Sequence, residues 1–425
     1  MRTIRMAVLF TLAIAALAAN QAPAPSTIVL VGARLVDGTD GPPIDNSLVV
    51  IQGDRIRNVA TMPEPGTIPP DAERIDVRGK TILPGFVNAH GHVGDTKGLK
   101  AAPEFYTREN LERQLALYAD YGVTTVYSLG GDGPAGVALR DTPSPTGARL
   151  FVAGPVITAT TASDAAAAAD ENLAMGVDWL KFRVDDNLGA SEKMPKAAWK
   201  AVIERGHAKK IPVAAHIFYL EDAKDLLREG IDLIAHSVRD RPVDDEFISL
   251  AKARNVCVVP TLTREVSTFV YESTPAFFSD EFFLRHAEAA VLAQLKDPAR
   301  QRRMRSSAPA QKYKAALQVA SANLKTLEDA GVRIAMGTDT GPPARFQGYF
   351  EHMELEMMVK AGLTPMQAIV AATGDAGRCM KHTGGLGTIA AGAPADLVVY
   401  AEDPSVDIRN TRTIESVWIG GRRVP

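Results

Sequence analysis

Residues Pro84–Gly94, "PGFVNAHGHVG", decide how the chain is read, because an apolar run leads straight into two histidines one residue apart. On a β-strand, residues i and i+2 share a face, so His90 and His92 at a strand end can grip one metal ion. Two histidines that merely share a turn are the plain alternative, and the rest of the chain has to separate the two.

Further β-branched runs follow, each trailed by a segment of helical character: "VTTVYSLG", "RLFVAGPVI", "VDWLKFRV", "IPVAAHIF", "IDLIAHSV", "VCVVPTLT" and "VRIAMGTD". With "ILPGFVNAH" these make eight alternations, which predicts the α/β class and a closed (β/α)8 TIM-like barrel over residues 84–385. An open doubly wound sheet is the competitor, but its glycine-rich phosphate loop after the first strand is missing.

The pattern changes on both sides of the barrel. "IVLVGARLVDG" and "SLVVIQGDRIRNVA" in 27–83, and "ADLVVYAEDP" and "IESVWIGGRRV" in 386–425, read as short alternating strands with turn residues. Domain termini often meet in space, so the N- and C-terminal segments are expected to build one small composite β-sandwich. One connection is long. The stretch 264–327 after the seventh strand reads as a helical insertion whose front half carries Phe269, Tyr271, Phe277, Phe278, Phe282 and Phe283. Insertions on that face commonly wall or cover a site, so these aromatics are expected at the barrel mouth, a stabilising helical hairpin being the alternative.

Composition bounds the rest. Hydrophobic residues at 46% and charged residues at 23% exclude a disordered chain, and a formal charge of −3 without a basic run excludes a nucleic-acid partner. Arg2 and Arg5 precede an apolar run ending in small residues, too short for a membrane span. Residues 1–18 therefore read as a signal peptide, with a periplasmic or secreted product that carries no membrane span. Cys257 and Cys379 sit in apolar surroundings and are expected as buried free thiols.

In such a barrel, chemistry sits at the carboxyl ends of the strands. The first strand ends in His90 and His92, the fourth holds Lys181, the fifth ends at His216, the sixth at His236 and the eighth at Asp339. Six metal-competent side chains at strand ends, in a chain with only eight histidines, are poorly explained by chance. Neutral imidazoles with a carboxylate suit Zn²⁺ or a similar divalent ion.

"PGFVNAHGH", the lysine of "DWLKF", "AAH", "IAHS", "GTDTG" and the closing "LTPMQAIVAATGDAGRCM" to "GAPADLVV" together resemble the amidohydrolase superfamily, in its imidazolonepropionase-like and prolidase-like branch. Asn88 stands where many members carry an aspartate, a position that is not usually a ligand. The resemblance implies two divalent ions. His90, His92 and Asp339 would hold one, His216 and His236 the other, and a carbamate made on Lys181 from CO₂ would bridge them. It also implies a metal-activated hydroxide as nucleophile, with Asp339 moving its proton.

The expected activity is hydrolysis of a C–N bond in a small molecule, a dipeptide or N-acyl amino acid, by an exported enzyme. A lactonase, esterase or phosphotriesterase with the same centre is the second reading, and a catalytically idle binding member of the fold the third. His352, which opens the helix behind Asp339, and Arg239 and Arg264, which follow strand ends, are the candidate substrate contacts; Arg241 and Arg345 also follow strand ends, and any of the four arginines could clamp a carboxylate. His207, His286 and His382 are expected to carry no chemistry. Self-association is left open.

Overall fold

A computed structural model describes residues 27–62, 68, 70–382 and 384–425, so the signal peptide expected at 1–18 lies outside the described residues. Seven parallel strands follow in chain order: Phe86–Gly91, Val123–Ser128, Arg149–Val152, Leu180–Arg183, Val213–His216, Leu233–Ala235 and Cys257–Val259. They form two ladders, of the first three and the last four. Single parallel bridges complete the circle: Ile157 to Phe182 joins the ladders, while Val258 to Ile334 and Gly91 to Thr340 insert residues 334–340 as the eighth strand. The result is a (β/α)8 barrel.

Two glycines explain why "AMGTDTG" closes it. A Cβ on Gly337 would stand 2.9 Å from the His90 backbone nitrogen, and one on Gly341 would stand 2.1 Å from the His92 carbonyl oxygen. Only glycine lets the eighth strand come that close to the end of the first.

The barrel interior is filled by Val87, Ala89, Tyr127, Ala153, Trp179, Ala214, Leu233, Ala235, Val259 and Ala335, small side chains facing large ones. Its floor is closed by the segment Gly374–Cys379, and here the expectation of free thiols fails. Cys257 and Cys379 are joined in a disulfide, with sulfurs 2.10 Å apart, across 122 residues of sequence. Both lie in apolar runs with no spacing signal, so only the folding of the last helices under the seventh strand makes them neighbours.

The two ends of the chain meet as well. Thr81–Pro84 pairs antiparallel with Leu397–Tyr400, which pairs with Ile414–Ile419, in a five-stranded sheet. A second sheet orders Arg55–Thr61, Ser47–Gln52, Thr27–Val31 and Glu73–Asp76. Leu30, Val49, Ile51, Ile82, Leu397, Val399 and Trp418 fill the layer between them, so this is a composite β-sandwich made from both termini.

The insertion differs from expectation. Tyr271, Phe278, Phe282 and Phe283 are buried with Tyr121, Tyr349 and Phe350 in a core of their own on the flank of the barrel. Phe277 packs edge-on to Phe278, Phe283 and Phe350 inside the same cluster. These rings bury each other and the helix Tyr349–Lys360 instead of lining the mouth. What the insertion brings to the strand ends is its first turn, Leu262–Ser267, and Tyr313 of the long helix Ala308–Asp329.

Candidate metal centre

The structure brings all six strand-end residues together. The rings run in sequence His92, His90, His236, His216, with centroid separations of 5.6, 4.8 and 4.1 Å. Lys181 Nζ lies 3.2 Å from His90 Nε2, and Asp339 Oδ1 lies 2.8 Å from His92 Nε2 and 3.8 Å from His90 Nε2.

Simple strand alternation does not explain how His90 and His92 reach this centre, because Val87 and Ala89 already face the interior. A bulge does. Val126 pairs with Asn88 and Ser128 with Gly91, so the first strand carries one extra residue there. The extra residue swings the following side chains inward, a use of bulges found beside active sites. The sixth and eighth strands use another device. His236 and Asp339, each just beyond its strand's last interior residue, adopt left-handed backbone with φ of +74° and +57°. That conformation costs a residue with a side chain ~1–2 kcal/mol, which the surrounding hydrogen bonds must offset.

The donor set fits divalent ions. His92 Nδ1–H donates to the Gly130 carbonyl at 2.8 Å, His216 Nε2 pairs with Asp185 at 2.9 Å and His236 Nδ1 with Thr261 Oγ1 at 2.6 Å. In the His216 and His236 rings one nitrogen is held by the protein and the other is left as a lone-pair donor, the arrangement that orients metal-ligating imidazoles, while His92 Nε2 faces the Asp339 carboxylate. Burial pulls His216 down to about 4 and His90 and His236 well below the usual histidine value, which keeps these rings neutral. Burial also opposes charge on Asp339, but the Arg345 guanidinium and His92 outweigh it and hold the carboxyl well below its usual range. The same carboxylate raises His92 against the opposing pull of burial.

Among the described residues, His90, His92 and Asp339 are the ones whose ligand atoms all lie within 4.8 Å of one another. Lys181 adds an amine beside His90. It is fully buried, and desolvation lowers its pKa to about 7. A neutral amine in that position is a nucleophile toward CO₂, and a carbamate formed there would add oxygen ligands to the site.

The second-tier candidates separate. Arg264 stays at the site: its Nε is 4.0 Å from Asp339 Oδ2, its plane lies 4.4 Å over the Tyr313 ring, and Nε has no hydrogen-bond partner among the described residues. Arg239 instead serves the scaffold. Its Nη1 donates to the Ile217 and Ser237 carbonyls at 2.8 and 2.9 Å, and its Nε meets Glu265 at 3.0 Å, tying the ends of the fifth and sixth strands. His352 does not face substrate. Nε2–H donates to the Tyr121 carbonyl at 2.9 Å, Nδ1 meets Thr411 Oγ1 at 2.9 Å, and the ring packs on Phe86, where the first strand begins, at the opposite end from the histidines. The helix behind Asp339 carries it away from the site.

Two residues went unread in the sequence, Asp185 and Tyr313. Asp185, which orients His216, sits two positions past the fourth strand, where a carboxylate at a strand end was a usable signal. Tyr313, under Arg264, comes from the insertion, and no spacing announces it, while Arg345, a clamp candidate after the eighth strand, lies 2.5 Å from Asp339 Oδ2.

Comparison with known proteins agrees with this fold. An uncharacterised protein of Mycobacterium bovis is 28% identical over 334 residues, 77% of this chain and 80% of its own. The imidazolonepropionase of Geobacillus thermodenitrificans is 24% identical over 367 residues, 78% of this chain and 77% of its own. A solved Xaa-Pro dipeptidase with methionine in its active site shares the fold at a TM-score of 0.75 and 21% identity, over 94% of this chain and 99% of that one. The amidohydrolase family profile matches residues 81–424, from the strand that leads into the barrel to the last strands of the sandwich, and the chain belongs to the amidohydrolase family.

Proposed function

We propose that this amidohydrolase-family hydrolase is an exported enzyme that uses two divalent ions of the zinc type to cleave the amide bond of a dipeptide or N-acyl amino acid. The observation that carries the reading is the convergence of four histidines, Lys181 and Asp339 at the carboxyl ends of five barrel strands. His90, His92 and Asp339 would hold one ion, His216 and His236 the other, with Lys181 as its carbamate shared between them. When bound, such ions polarise a carbonyl and make water acidic enough to attack near neutral pH.

The chain's own residues supply the rest. Asp339, held ionised by Arg345, is placed to take a proton from the attacking water and return it to the departing nitrogen. Arg264, with an unsatisfied Nε beside that carboxylate, suits the substrate's own carboxylate, which both a dipeptide and an N-acyl amino acid carry. Tyr313 and Phe218 stack against Arg264 and Arg239 and keep both guanidinium planes in place. The disulfide supports export, since such bonds persist in oxidising compartments.

The test is turnover of the metal-loaded protein on dipeptide and N-acyl-amino-acid libraries beside lactone and phosphotriester probes, before and after chelation. Amide cleavage that is lost on chelation and returns with Zn²⁺ is expected. Faster turnover of a lactone or phosphotriester would reassign the bond, and chelator-resistant turnover would remove the metals from the mechanism.

A further inference from the structure

Behind the ligands, the helix Tyr349–Lys360 turns two buried carboxylates toward the barrel. Glu354 accepts from the Leu262 and Thr263 backbone nitrogens and from Thr263 Oγ1, each at 2.7 Å, and so anchors the first turn of the insertion. Glu351 reaches the ligand strands themselves. Its Oε1 accepts from Asn88 Nδ2, Thr338 Oγ1 and Thr340 Oγ1, each at 2.7 Å. One oxygen thereby collects three donors from the first and eighth strands, and all three donors stand within two residues of His90 or Asp339.

The orientation of Asn88 is fixed from its other end. The His90 backbone N–H donates to Asn88 Oδ1 at 3.0 Å, so the amide N–H₂ must face Glu351. The His90 carbonyl in turn accepts from the Asp339 and Thr338 backbone nitrogens at 2.6 and 3.0 Å. Glu351 is thus joined by one hydrogen bond, through Asn88, to the bulged strand that carries His90, and by one to each threonine flanking Asp339. Tyr118 O–H closes the group on Thr340 Oγ1 at 2.7 Å. An aspartate in place of Asn88 would accept from His90 equally well but would turn an acceptor toward Glu351.

We propose that Glu351 is a positioning residue for the metal centre. It clamps the bulge at Asn88 to the left-handed turn at Asp339, and the amide of Asn88 is required because Glu351 is the shared acceptor. The inference rests on the proposed metal-dependent function. Outer partners that orient ligands are worth 10–100-fold in metal affinity or activity, and that is the scale expected here.

The test measures Zn²⁺ affinity by chelator competition, with thermal unfolding as the control for fold. Glu351→Met removes the acceptor at similar length and should weaken Zn²⁺ binding about 10–100-fold. Glu351→Gln keeps an acceptor oxygen and should hold affinity within a few-fold of wild type. Asn88→Asp sets two carboxyls face to face and should weaken binding, and Glu351→Gln added to it should restore binding by supplying a donor. Glu351→Gln is therefore neutral or slightly harmful alone but beneficial in the Asn88→Asp background. General loosening of the core cannot produce that change of sign, and it remains readable if Glu351→Met does not fold. Wild-type affinity in folded Glu351→Met, or Glu351→Gln failing to improve Asn88→Asp, overturns the inference alone. A wild-type protein that takes up no Zn²⁺ overturns the proposed function and the inference with it.

Discussion

The two ends of the barrel are built on opposite principles. At the carboxyl end, four imidazoles, an amine and a carboxylate crowd together, two of these residues in left-handed backbone and one strand bulged to fit. At the floor, Cys257, Cys379, Met380 and Leu386 close the interior with apolar contact and a covalent bond. Like charges and desolvated polar groups cost stability, whereas buried sulfur and methylene do not. The contrast teaches that the floor holds together what the upper end strains, so changes above should remove chemistry and spare the fold, and changes below should do the reverse.

The largest effect is expected from Lys181→Ala. It should abolish turnover and lose at least one of two bound ions by elemental analysis, with partial rescue by a small carboxylic acid in place of the carbamate. One ion in the wild type would confine the site to His90, His92 and Asp339. Next comes Asp339→Asn, which should lower kcat by ~10²–10⁴-fold, the range of a lost general acid–base, with the unfolding temperature nearly unchanged. Near-normal turnover would take Asp339 out of proton transfer.

Below the centre, the Cys257→Ser, Cys379→Ser double variant should leave kcat/KM of the folded enzyme intact. It should cost several kcal/mol of stability, since cross-linking a loop of ~100 residues is worth ~4.7 kcal/mol. Lost activity in the folded protein would show that the floor and the site are mechanically coupled. On the flank, Phe278→Ala should cost about 3 kcal/mol and leave KM alike for apolar and polar substrates, as a core residue does. A selective rise in KM for apolar substrates would return the aromatic cluster to the mouth.

A pH dependence is expected from the helix Tyr349–Lys360 behind the site. Burial pushes Glu354 up to about 7, so the folded protein keeps a proton there that the unfolded chain releases near ~4.3. That contribution to stability is fully present below the unfolded value and is lost as pH rises through about 7, at no more than ~1.4 kcal/mol per unit. Denaturant titrations between pH 4 and 8 should show this slope in the wild type and a flatter one in Glu354→Gln. Equal slopes would assign it to other groups.

The barrel, the meeting of the termini in a sandwich and the convergence of His90, His92, Lys181, His216, His236 and Asp339 were legible in the sequence. Strand ends in a parallel barrel all point to one place, so residue type and position at a strand end were enough to bring the six together. The partners of these residues were not legible. Tyr313 under Arg264 and Glu351 behind Asn88 join segments that no local period relates, and the bulge that aims His90 appears only when two strands pair. His352 was misread because a helix that starts beside the site leads away from it, and the insertion's aromatics because a ring that buries its neighbours has the same composition as one that waits for substrate. The disulfide shows the limit most plainly: apolar surroundings fixed that both cysteines are buried, but only the packing of the last helices beneath the seventh strand set their sulfurs face to face.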